Sequence, residues 1–206
     1  MQGSISIYVD RFPNYFYLPS LQGYDSKVFV AERDGDIIGV IGVSFRNVRL
    51  FGNLIKIGYT GGLKIKESAK GSRTLYRLMK RTYDEMLEKN AQLGILFALK
   101  ENQKVLRIIS GRVNIPKFYP IANFKVFHIF PLLKFKIKNK YEIERLSKSN
   151  LQEIEKFFLR FFKRYELVEE FNNEKVSKIL KESKDFSLDN FFIARQNGRI
   201  VATISY

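Results

Sequence analysis

The chain has 206 residues, enough for one good-sized domain or for one domain and part of another. It has no cysteine and a single histidine, which excludes disulfides, a thiolate nucleophile and Cys-ligated zinc, and leaves His128 without the companions of a His-based metal centre or a Ser-His-Asp triad. The net charge is +15, of which residues 1–140 carry +14 and residues 141–206 carry +1.

Such a field, concentrated in the first two-thirds, favours polyanions: a nucleotide cofactor, nucleic acid, an acidic substrate or anionic headgroups. A Lys-rich composition with no partner at all would look the same. Hydrophobic residues make up 45% of the chain, which supports a packed core rather than disorder. No apolar run approaches the ~20 residues that span a bilayer. The N-terminal MQGSISIYVDRF is not a signal peptide. The expectation is a cytoplasmic protein with no membrane span and no metal.

In chain order, residues 12–21 read as a short helix or an extended lead-in. Strands are expected at about 27–33, 37–46 and 54–65. Asp34-Gly35 between the first two is a tight-hairpin signal, because a type I′ turn needs positive φ at both central residues. The clearest helix is 72–90, SRTLYRLMKRTYDEMLEKN, with Leu75, Leu78, Met79, Met86 and Leu87 on one face and Tyr83 beside them. LGILFALK (93–100) reads as a buried strand. Asn102 caps a short helix over QKVLRIISG, and Gly111 stops it. Residues 123–138 read as a last hairpin of this unit, bent at Pro131.

A second, shorter series follows. YEIERLS (141–147) alternates as a strand. Ser149 or Asn150 can cap a helix with the stripe Leu151, Ile154, Phe158, Phe161 and Tyr165. A further helix carries Val176, Ile179 and Leu180. The final hairpin, FFIARQNGRIVATI (191–204), matches VFVAERDGDIIGVI (28–41) position by position, with Asn197-Gly198 in place of Asp34-Gly35. The series β-α-α-β-β then stops on an open edge. This is expected of a unit that continues past residue 206, or whose last strand pairs elsewhere, as in a homodimer.

The ordered set VFVAERDGDIIGVIG (28–42), GYTGGLKIKESAKGSRTLYRL (58–78), LFALKENQKVLRIISG (96–111) and IPKFYPIANFKVF (115–127) resembles the GNAT N-acetyltransferase superfamily, and more narrowly the bacterial tandem-GNAT proteins. The resemblance covers about residues 10–138, and again 141–206 through the repeat. It implies an α+β fold: a mixed, mostly antiparallel sheet flanked by helices, followed by the first half of a second such unit. The implied domains are 1–138, binding acyl-CoA, and 139–206, a partial repeat.

The resemblance also implies acetyl-CoA as acyl donor and transfer of its acetyl group to an amine on a small molecule or peptide. Leu63, Lys64 and Ile65 would lie along the pantetheine. Lys70, Gly71, Ser72, Arg73 and Thr74 would hold the pyrophosphate at a helix N-terminus. Asn102 would also lie along the pantetheine. KGSRTL (70–75) departs from the family motif by placing Arg73 and Leu75 where small residues are usual. Where the family often has a proton-donating Tyr, this chain has Ile109, which cannot transfer a proton.

No catalytic residue is assigned from sequence. Glu67 and Glu101 stand close to the expected site, and each also reads as a solvated surface carboxylate. Tyr59 is an alternative donor or a core residue. Phe118-Tyr119-Pro120 lines the acceptor cleft or only packs a loop. His128 reads as structural. Two other functions stay open: a non-catalytic CoA-binding or interaction module, and a binder of polyanions without sequence-specific nucleic-acid recognition.

Overall fold

The computed structural model describes residues 23–71, 73–112, 115–125, 140–169 and 187–205, the Arg112 side chain excepted. The lead-in at 12–21, Ser72, His128, most of the hairpin at 123–138 and the helix carrying Val176, Ile179 and Leu180 lie outside the described residues. The chain divides into two compact units, residues 1–120 and 121–206.

In the first unit, β1 (Asp25–Arg33), β2 (Asp36–Leu50) and β3 (Asn53–Ile65) form an antiparallel meander, and β4 (Leu93–Leu96) joins β3 in parallel. The sheet is mixed, as the α+β reading requires. The first turn is the expected one, with Asp34 at φ 53° and Gly35 at φ 79°. The turn between β2 and β3 has the same signs, with Phe51 at φ 47° and Gly52 at φ 78°. A phenylalanine in that region is uncommon, because its Cβ crowds the carbonyl.

Helix α1 (Thr74–Glu88) packs on the sheet through Leu78, Met79, Thr82, Glu85 and Met86, all buried. The expected stripe is corrected at Leu87, which is 55% exposed. Nine residues separate it from Leu78, so at ~100° per residue it points the opposite way. Glu85 takes part in the buried face instead. Helix α2 (Gln103–Arg107) follows β4 and runs into a wider turn over 108–112, which Gly111 ends at φ 84°. Val105 and Ile109 join Ile41, Leu78, Met79 and Ile115 in one core cluster.

The strand expected over 93–100 is shorter and less buried than the sequence reading. It ends at Leu96, and Phe97 and Leu99 are exposed. Apolarity alone marks a strand as buried only if both faces are covered. Here the chain leaves the sheet after four residues.

In the second unit, β5 (Glu142–Arg145), β6 (Phe191–Gln196) and β7 (Arg199–Ser205) form an antiparallel sheet in that order. Helix α3 (Leu151–Phe162) packs on it through Leu151, Ile154, Phe157 and Phe158 against Leu146, Ile193 and Ile200. Phe161 and Tyr165 are exposed, and Tyr165 lies beyond the helix end. Neither Ser149 nor Asn150 caps α3 by its side chain. Asn150 instead turns back to accept from the Ser147 amide at 2.7 Å, closing a one-turn 3-10 segment before the helix. The same Ser-x-x-Asn closure recurs before β6, where the Ser187 amide donates to Asn190 at 2.8 Å.

The two similar hairpins share their irregularity. In the first, Ala31 pairs with Gly39 and Glu32 with Ile37; in the second, Ala194 pairs with Ala202 and Arg195 with Ile200. Each thus skips one residue at the same place. Asn197 at φ 50° and Gly198 at φ 72° reproduce the turn. Their buried faces are opposite. Ile41 is fully buried and Val30 is 54% exposed, while their counterparts Ile204 and Ile193 are 69% exposed and fully buried. The packed helix decides: α1 covers the Ile41 side of the first hairpin, and α3 the Ile193 side of the second.

Candidate active site

The site is built where β3 and β4 part. They pair at four positions, from Ile57 with Leu93 to Thr60 with Leu96, and there the pairing stops. Beyond Thr60, β3 continues to Ile65 paired with β2, past its last rung with β4. A register shift falls between the Val40 and Gly42 pairings, and Gly62 sits within it at φ 67°. The strand is therefore bulged over 61–65, beyond its pairing with β4. Leu63, Lys64 and Ile65 lie on this stretch. The sequence reading left out Gly61 and Gly62, although paired glycines inside a strand pattern mark a bulge or a close backbone approach.

A one-turn 3-10 segment, Glu67–Ala69, leads from β3 to the turn before α1, with the Lys70 amide donating to the Glu67 carbonyl at 3.1 Å. Lys70 also pairs with the Glu67 side chain, and this hydrogen bond holds the Glu67 carboxyl below its ordinary range. Gly71 follows at φ 85°, with open space where a Cβ would stand. Among the described residues its N–H has no acceptor. Arg73 takes the cap position of α1, and its own side chain does not cap the helix. The first-turn amides have no acceptor within the helix.

Charge placement on α1 is the reverse of what the helix dipole favours. Arg73 and Arg77 stand at the N-terminal end with no acid in the first turn, while Asp84, Glu85 and Glu88 stand near the C-terminal end. A positive dipole end surrounded by Lys70, Arg73 and Arg77 is unfavourable alone and favourable with an anion. The Lys104 charge also reaches Glu67. A glycine turn at a helix start with Lys70, Arg73 and Arg77 close by in the sequence is a place where an anion is favoured.

Asn102 caps α2, its side-chain oxygen accepting from the Val105 amide at 3.3 Å. Its amide nitrogen remains a potential donor. Ile109 is buried in the core cluster, so the late helix brings no proton-bearing group there. Glu101 is exposed on the loop before α2. Phe118 packs against the core cluster, whereas Tyr119 is 71% exposed, with the Lys117 ammonium 4.9 Å from its ring centre.

Tyr59 stands at the mouth of the parting strands, paired with Ile95. Its ring lies 5.7 Å from that of Phe97, and the Arg46 guanidinium lies 5.6 Å from its centre. Among the described residues no cluster of His, Cys, Asp or Glu could hold a metal ion, and no helix is long and apolar enough to cross a membrane.

A family model described as an Acetyltransferase (GNAT) domain matches residues 16–103. No curated protein matches the sequence. Among solved structures, a transcriptional regulator from Bacillus halodurans C-125 is similar at 18% identity and a TM-score of 0.44, covering 50% of this chain and 66% of its own. An acetyltransferase from Trypanosoma brucei is similar at 15% identity and a TM-score of 0.37, covering 49% of this chain and 68% of its own. Glucosamine-6-phosphate N-acetyltransferase from Arabidopsis thaliana is similar at 21% identity and a TM-score of 0.42, covering 55% of this chain and 74% of its own. Over residues 16–103, therefore, this chain is similar to the GNAT acetyltransferase domain.

Proposed function

We propose that the protein is an acyl-CoA-dependent N-acyltransferase that moves an acetyl group from acetyl-CoA to an amine. The observation that carries this reading is the positive-φ glycine turn at the start of α1, set next to the bulged stretch of β3 past its last rung with β4. The amides of Gly71 and of the first turn of α1 would take the pyrophosphate, with Lys70, Ser72, Arg73 and Thr74 around it. Leu63, Lys64 and Ile65 would bind the pantetheine as an added strand would, through backbone groups. The Asn102 side-chain amide would donate to it from the other side. The thioester would then lie near Gly61, where the pairing with β4 closes the groove.

The chemistry asked of the protein is modest. A neutral amine attacks the thioester carbonyl, donors stabilise the oxyanion, and the sulfur leaves with a proton. The amine belongs to a small molecule or a peptide. Residues 1–138 form the acyl-CoA-binding domain in this reading, and residues 139–206 the opening part of a second unit of the same kind. The shared bulge and turn of the two hairpins support that kinship.

A second reading, a CoA-binding module without turnover, draws on Ile109, which is buried and carries no proton. Calorimetric titration of the folded protein with acetyl-CoA and with CoA tests both. Micromolar binding is expected; no heat at high micromolar ligand overturns both. Binding without thiol release over a broad amine panel favours the second.

A further inference from the structure

The acetyltransferase reading leaves one step without a residue. The departing sulfur needs a proton, and the helix position that could supply it is Ile109, inside the core. We propose that Tyr59 is the proton donor to that sulfur, acting from the strand rather than from the helix. The proposal rests on the acetyl-CoA reading above.

The geometry of Gly61 carries it. Gly61 is the first residue of β3 past the last rung shared with β4. A Cβ placed there would stand 3.1 Å from Cε1 of Tyr59 and 3.4 Å from its hydroxyl oxygen. The phenol thus lies along the strand, over the one position whose missing side chain makes room for it. Its hydroxyl reaches past the closed part of the sheet to where β3 runs beyond β4. Phe97 and the Arg46 guanidinium lie beside the ring.

The opposite face is closed. A Cβ on Gly58 would stand 2.7 Å from Met86 of α1, and successive strand residues alternate between faces. Tyr59 is therefore on the side that α1 does not fill. Other candidates nearby are engaged or remote: the Ser110 hydroxyl donates to the Arg107 carbonyl at 2.7 Å, and Glu67 is held by Lys70 at the far end of the stretch.

The step balances as follows. The amine nitrogen bonds to the thioester carbon and the C–S bond breaks. Its electron pair stays on sulfur, and the Tyr59 hydroxyl proton moves to sulfur. The proton shed by the amine returns through water to the phenolate.

The test needs no acceptor. A donor poised at the sulfur stabilises the CoA thiolate, so the affinity for CoA rises with pH, whereas that for acetyl-CoA, whose sulfur cannot ionise, does not. CoA and acetyl-CoA are titrated calorimetrically from pH 7 to 9.5 into wild type and Tyr59→Phe. In wild type the CoA-to-acetyl-CoA affinity ratio is expected to rise roughly three- to tenfold as a thiol of ordinary pKa ~8.5 is acidified by one hydrogen bond. In Tyr59→Phe, which keeps the ring, the ratio stays flat.

Equal pH dependence in the two proteins overturns the Tyr59 assignment alone. Should the variant not fold, thiolate absorbance of CoA bound to wild type decides: a bound thiol no more acidic than free CoA overturns it equally. Folded wild type that binds neither ligand sinks the acetyltransferase reading and this donor with it.

Discussion

The Glu85 carboxylate, fully buried on α1, meets the Lys27 ammonium of β1 at 2.6 Å. The approach is close but outside hydrogen-bonding geometry, so this oxygen gains charge contact alone. The other oxygen takes Arg81 at 3.1 Å. Both cations keep more than a third of their side-chain surface in water. The pair ties the helix that opens the anion site to the strand at the sheet edge.

An asymmetry follows for mutation. Removing the anion leaves two cations that can turn to solvent. Removing a cation leaves a buried carboxylate that cannot. Glu85→Gln is expected to cost about 1–3 kcal/mol, the penalty of imperfectly satisfied polar groups. Lys27→Met, which leaves the buried carboxylate with Arg81 still on its other oxygen, is expected to cost more than Glu85→Gln. Urea unfolding of both variants checks the order, and a larger loss for Glu85→Gln contradicts this account.

Phe51 holds φ 47° at the tip between β2 and β3 and is 80% exposed. Its side chain contributes little to the core, and its backbone sits where Asn is far better tolerated. Phe51→Asn is expected to stabilise the fold by about 1 kcal/mol, the scale of the left-handed penalty. The melting temperature should rise by roughly 2–4 °C. An unchanged or lower value would show that the Phe51 side chain has a packing role.

In the second unit, Arg195 forks onto Glu153 at 2.6 and 2.7 Å and reaches Glu144 at 2.5 Å. The hydrogen bond from Arg195 holds the Glu153 carboxyl below its ordinary 4.5. A carboxyl depressed in the folded state stabilises above its unfolded pKa and loses that contribution as pH falls through the folded value. Stability from this bridge is thus complete at neutral pH and drains away below about pH 4. Glu153→Gln should melt lower than wild type at pH 7, and the gap should narrow at pH 3. Melting curves at the two pH values decide it.

Lys70 and Arg73 are exposed and stand beside the start of α1. Their replacement by Ala, singly, should leave the melting temperature within a degree or two. Each should weaken CoA binding by roughly three- to tenfold at low salt, less as ionic strength rises. Gly71→Val should lose more, because φ 85° is strained for a β-branched residue. A melting drop without an affinity change would remove these residues from the site.

Much of this architecture was legible in the residues. Asp34-Gly35 and Asn197-Gly198 announced their turns because only a few residue types accept positive φ twice in succession. Phe51-Gly52 did not, since Phe is not a turn residue; the strand pairing on either side imposes the conformation. The 3.6-residue period located α1, but it could not tell that Glu85 would be buried, because its cations come from β1 and from the preceding turn of the helix.

The hairpin repeat was visible as sequence and was matched down to its bulge. Which face each copy buries was not visible, because both faces are apolar and the choice belongs to the helix that packs. At the site, Gly71 and Asn102 could be picked out by turn and cap chemistry. The opening of β3 from β4 could not, since it depends on the chain leaving the sheet at Phe97 within an unbroken apolar run.

The central claim is that the start of α1 and the bulged stretch of β3 hold CoA. A crystal structure of the protein soaked with CoA tests it most directly. The account predicts the diphosphate on the amides around Gly71 and Arg73, with the pantetheine running beside residues 61–65 toward Tyr59. CoA bound anywhere else, or a side chain occupying that groove while CoA binds in solution, would contradict it.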